Sequence, residues 1–148
     1  MTQEEIQKIL NENLSILKDA LYWLQRSHKK CMGMENKENY SEDEYDNMET
    51  LASRFARVSD IIFQKIFRSI DQVELEDKGT LIDAVNRAHK RGLINSADEI
   101  RELRELRNQI VHEYIKDELQ NIFLEILKYT PVLISICNNI FNYCKKYG

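Results

Sequence analysis

The run Arg107-Asn108-Gln109-Ile110-Val111-His112-Glu113-Tyr114 holds the residue types that cleavage of an RNA phosphodiester needs. RNA carries its own nucleophile, the 2′-hydroxyl. Attack on the adjacent phosphate then calls for a proton acceptor, a donor for the leaving 5′-oxygen and positive charge on the phosphate oxygens. His112 suits proton transfer because an imidazole titrates near neutrality. Arg107 suits the developing charge because it offers a planar fork of donors and stays charged. Asn108 stands one turn before His112 and can orient its ring. This chemistry calls for no metal and no cofactor.

The helix predicted to carry these residues breaks its own pattern. Projected at about 100° per residue, Ile100, Leu103, Ile110 and Val111 cluster in one apolar arc, and Arg107 falls in the middle of it. Tyr114 lies about 20° from Arg107 and Arg104 borders it. A guanidinium on a core-facing stripe is costly unless something binds or solvates it. Two explanations stand side by side: an internal ion pair with an Asp or Glu, or a cleft that holds an anion. One difficulty attends the second. Positions 107 and 112 differ by about 140° on a regular helix, so one chain cannot turn both squarely toward one phosphate unless the helix relaxes near 109–112.

Five predicted helices must position this run. Leu10, Leu14, Leu17, Leu21 and Leu24 alternate spacings of four and three, which predicts a long helix over about 3–30. A loop follows over Cys31 to Tyr40. Ser41 and Glu44 form a capping-box pair that opens a second helix, striped by Met48, Leu51, Phe55, Val58, Ile62 and Ile66 and ending near Ile70. Ile61 and Phe63 widen its apolar face. The segment Asp71 to Gly79 is unpatterned, Thr80 caps a short helix stopped by Gly92, and Ser96 with Glu99 opens the motif helix, expected to reach Tyr114. The last helix is expected from about Asp117, with a kink at Pro131.

The sum is an all-α, antiparallel bundle of four long helices and one short one, a single domain over 1–148. The net charge of −4 is concentrated at the start: residues 1–50 hold 6 Lys or Arg against 11 Asp or Glu, whereas the remainder is nearly balanced. An acidic chain gains little from general attraction to phosphate backbones, so a nucleic-acid coat protein is not expected, although a local basic cleft is compatible. Arg87, Lys90 and Arg91 could contact RNA, yet cations at a helix C-terminus also suit the helix dipole. Tyr22, Trp23, Tyr40 and Tyr45 show no spacing of a stacking platform, and packing is the expectation for them. Three cysteines without a C-x-x-C suggest reduced, packed thiols rather than a disulfide framework or zinc site. Neither a signal peptide nor a membrane span is evident, which points to a cytoplasmic location.

In Arg107, Asn108 and His112, set late in the penultimate helix of an all-α chain of this size, the sequence resembles the HEPN family. That resemblance implies a homodimer whose motif helices meet at a two-fold axis, with RNA as substrate. Tyr114, two residues after His112, is similar to the motif tyrosine of HEPN toxins encoded beside a minimal nucleotidyltransferase antitoxin. In that subgroup the tyrosine is where AMP is attached. The leading expectation is therefore a metal-independent endoribonuclease held in check by adenylylation. A non-catalytic partner that binds a nucleotide or the nucleotidyltransferase is the second reading, and a purely structural helical adaptor the third.

Overall fold

The structure, a computed structural model, describes residues 1–112 and 116–148, and the side chains of all of these outside 111–118. It is all-helical among the described residues: α1 (Gln3–Lys30), α2 (Glu42–Ile61), a π-helical turn (Ile62–Ile66), α3 (Phe67–Val73), α4 (Leu81–Lys90), α5 (Ala97–His112) and α6 (Lys116–Cys144). Tyr114, the expected end of the motif helix, lies outside the described residues.

The capping signals read in the sequence act as expected. Ser41 and Glu44 satisfy each other's backbone N–H groups at the start of α2, Thr80 and Asp83 do the same for α4, and the Glu99 N–H bonds the Ser96 hydroxyl. Thr2 and Glu5 form a further box on α1. Gly92, at φ 76°, ends α4 in the left-handed region where a Cβ is unfavourable.

Long-range bonds fix the directions of the rods. Gln3 and Asn13 of α1 reach Val73 and Ser69, while Ser27 and Cys31 meet Arg54 and Asn47, so α1 runs antiparallel to α2 and α3. Asn11 meets the chain end at Tyr147, which sets α6 antiparallel to α1. Arg104 and Arg107 face Phe63 and Asp60, so α5 also opposes α2. Consecutive long helices thus alternate in direction, with α2 and α6 packed together and flanked by α1 and α5.

The second predicted helix is longer and less regular than its stripe implies. It runs on to Val73, and within it the Phe67 N–H reaches back five residues to the Ile62 carbonyl. This wide turn inserts an extra residue, and the neighbouring Ile61, Ile62, Phe63, Ile66 and Phe67 are all buried as a result of the broadened face. The last helix passes through Pro131 without ending, and the buried Thr130 hydroxyl bonds the Ile126 carbonyl beside it. Among the described residues no helix is long and apolar enough to cross a membrane.

Candidate functional site

The motif helix sits in the groove beside α2. Its buried line is Ile100, Leu103 and Leu106, with Ile110 partly buried. Leu106 widens the expected arc and centres the buried face on Leu103. Arg107 therefore lies at the border of the buried face rather than in its middle. Its side chain keeps 30% exposure.

From that border Arg107 reaches across to α2. Its Nε donates to Asp60 Oδ1 at 2.8 Å and its Nη2 to Oδ2 at 2.9 Å, a two-pronged ion pair. These hydrogen bonds outweigh partial burial and raise the guanidinium's pKa beyond its already high value, so the group stays charged. Of the two explanations for an arginine on this stripe, the internal ion pair is thus present. The cleft is present as well. Ser59, Asp60, Phe63, Gln64, Arg104, Arg107 and Asn108 enclose a cavity of about 80 Å³, large enough for a small polar group. Arg104 lies 5.2 Å over the Phe63 ring, which holds its charge at the rim. The buried Ser59 hydroxyl has no hydrogen-bond partner among the described residues.

The backbone of α5 stays helical through His112. Relaxation of the helix is therefore not how positions 107 and 112 overcome their angular offset.

The other predicted RNA contacts fare differently from Arg104. Arg87 Nη2 bonds Asp71 Oδ2 at 2.9 Å, Arg91 Nη1 bonds Asp71 Oδ1 at 2.5 Å, and Arg91 Nε bonds Glu74 Oε1 at 2.8 Å. Asp71 is only 3% exposed, so these two cations compensate a buried carboxylate and fasten α4 to α3. Their guanidiniums are occupied by the fold. Lys90 is exposed at the end of α4. Asp60 and Asp71 are the residues that sequence reasoning missed: each carries no helix-period signal, and each matters through a partner on a different helix.

No family model matches this chain, and no solved structure matches it. Among curated proteins it is similar to a nucleotide-binding protein of Thermoanaerobacter sp. (strain X514) and to one of Thermoanaerobacter pseudethanolicus (strain ATCC 33223 / 39E). Each is 28% identical over 147 residues, an alignment covering 89% of this chain and 48% of the relative. The chain spans about half the length of the curated relatives it matches.

Proposed function

We propose that this protein is a metal-independent endoribonuclease, the toxin of a toxin–antitoxin pair, working as a cytoplasmic homodimer on RNA. The observation that carries the reading is the placement of Arg107: charged, part-exposed and aligned by Asp60 at the edge of a cleft, with Arg104 and Asn108 beside it and His112 late on the same helix. In the reaction a His112 imidazole takes the proton of the 2′-hydroxyl as its oxygen bonds to phosphorus. The bond to the 5′-oxygen breaks, and that oxygen takes a proton from an imidazolium. Arg107 carries the charge that builds on the phosphate oxygens. Two α5 helices about a two-fold axis would supply both proton carriers and overcome the offset along one helix. Tyr114 is the residue at which a neighbouring minimal nucleotidyltransferase would attach AMP, placing negative charge beside the arginines.

Purified protein incubated with single-stranded RNA in chelator tests this. Cleavage leaving 2′,3′-cyclic phosphate ends, lost in His112→Ala, is the expected outcome. Products with 3′-hydroxyl ends, or an unimpaired His112→Ala protein, would assign the chemistry elsewhere.

The name of the two relatives favours a second reading, in which the same arginines hold a nucleotide without cutting. The four glycines, at 33, 79, 92 and 148, do not form the Gly-rich loop that cradles nucleotide phosphates in many proteins, so recognition would fall to arginine. Nucleotide binding without RNA cleavage under any condition tried would favour this reading.

A further inference from the structure

Trp23 and Arg54 are 31 residues apart in sequence, yet the antiparallel packing of α1 and α2 brings them together in a second cavity. It is lined by Asp19, Ala20, Trp23, Arg54 and Arg57 and has a volume of about 470 Å³, within the range of sites that take small organic ligands. Trp23 is the chain's one tryptophan, and it is 47% exposed although a large indole is normally covered. The Arg54 guanidinium lies 5.1 Å from the indole centroid and that of Arg26 5.9 Å. Arg54 is braced from behind, its Nη1 donating to the Ser27 hydroxyl at 2.7 Å and to the Trp23 carbonyl at 3.2 Å. Arg57 is exposed and forms no hydrogen bond or ion pair among the described residues. Arg26 and Arg54 thus flank one exposed indole and Arg57 shares its cavity, whose lining holds one carboxylate, Asp19. Such a set suits a ligand with both a flat ring and negative charge.

The position of Arg57 links this cavity to the one at Arg107. On the α2 wheel Arg57 occupies the exposed crest, about 60° from Arg54 on the α1 side and about 60° from Asp60 on the α5 side. Arg57 and Asp60 are one turn apart, about 5 Å along the axis, so the two cavities flank a single ridge. Arg54, Arg57, Arg107 and Arg104 follow one another across it.

We propose that the cavity at Trp23 is a second nucleotide subsite for single-stranded RNA bound at the Arg107 cleft. The base of a flanking nucleotide lies against Trp23 and the Arg54 guanidinium, Asp19 accepts a hydrogen bond from an exocyclic amine, and Arg57 holds the phosphate that crosses the crest. Base–aromatic stacking and phosphate contacts of this type bind single strands with little sequence preference. The inference rests on RNA being the substrate of the Arg107 site, but its test does not require cleavage.

The single tryptophan makes its own reporter. Trp23 emission is titrated with a short single-stranded RNA carrying 2′-O-methyl groups, which cannot be cut, and with AMP. Saturable quenching by the oligonucleotide at far lower concentration than by AMP is expected. Arg57→Ala, a crest residue whose loss the helical circular dichroism should not register, is expected to weaken oligonucleotide binding by about tenfold. It should also lower the slope of log K against log salt by about 0.7. Emission that stays constant while the oligonucleotide binds, or equal affinity of Arg57→Ala and wild type, overturns the subsite whether or not the protein cuts RNA. Equal potency of AMP and the oligonucleotide overturns it too, by reducing the cavity to a mononucleotide site. Quenching by the oligonucleotide in a protein that never cleaves would uphold the subsite and sink the ribonuclease reading alone.

Discussion

Arg107 on α5 and Asp60 on α2 share two parallel hydrogen bonds, so the residue proposed to hold a substrate phosphate already holds a carboxylate. An incoming phosphate must share or replace that partner, and the carboxylate fixes the plane in which the arginine meets it.

The pair is about one-third exposed at both ends, which limits its worth to about 1 kcal/mol of stability. Arg107→Ala should therefore melt within a few degrees of wild type while losing RNA cleavage. Asp60→Asn should bind RNA more tightly, because an anion beside the phosphate is removed, and cut more slowly because the guanidinium loses its alignment. Thermal melts, binding titrations and cleavage rates on the three proteins decide this. Wholesale unfolding of Arg107→Ala would make the ion pair a structural necessity instead.

The proposed shared cleft predicts a dimer, because the backbone stays helical through His112 and leaves positions 107 and 112 about 140° apart around one helix. Light scattering at micromolar concentration should give twice the 17.6 kDa chain mass. Mixing inactive Arg107→Ala with inactive His112→Ala should restore part of the cleavage if each cleft draws on both copies. A monomer, or no recovery on mixing, would remove the shared cleft.

Co-expression with a neighbouring minimal nucleotidyltransferase should yield protein carrying AMP on Tyr114 and inactive toward RNA. Mass spectrometry of the peptides checks the site. A Tyr114→Phe protein silenced as fully as wild type would rule out the tyrosine switch.

Glu74 gives a pH prediction. Burial alone would push its carboxyl up, but hydrogen bonds from the Tyr143 and Tyr147 hydroxyls, aided by Arg91, hold it below the ordinary carboxylate range. A carboxylate with a depressed folded-state pKa adds stability above its unfolded value of about 4.3 and loses it as pH falls through the folded value. Glu74→Gln should thus melt below wild type at pH 7, and the gap should narrow toward pH 3. Parallel melting curves across that range would mean the cluster does not favour the anion.

The thiols of Cys31, Cys137 and Cys144 are pushed up by burial to about 11, 12 and 11. All three are free and buried, so none should react with a thiol reagent at pH 8 until the protein is unfolded. Rapid labelling of native protein would show that these helices open locally.

Helix positions were legible in the sequence because capping and apolar periodicity act between residues three or four apart. The leucine stripe of α1 and the caps at Ser41, Thr80 and Ser96 each specify their element without help from the rest of the chain. The motif from Arg107 to His112 was equally visible, being local to one helix. The partner of Arg107 was not: Asp60 lies 47 residues away, and whether the two meet depends on how α2 and α5 rotate and register when packed. The same holds for Asp71, which reads as part of an unpatterned acidic stretch but is buried under Arg87 and Arg91. Trp23 has Arg26 beside it on its own helix, but Arg54 and Arg57 reach it only from α2. Short-range spacing determines which residues share a face of one rod. Which faces meet, and hence which charges are paired and which are left facing solvent, is decided only when the rods pack.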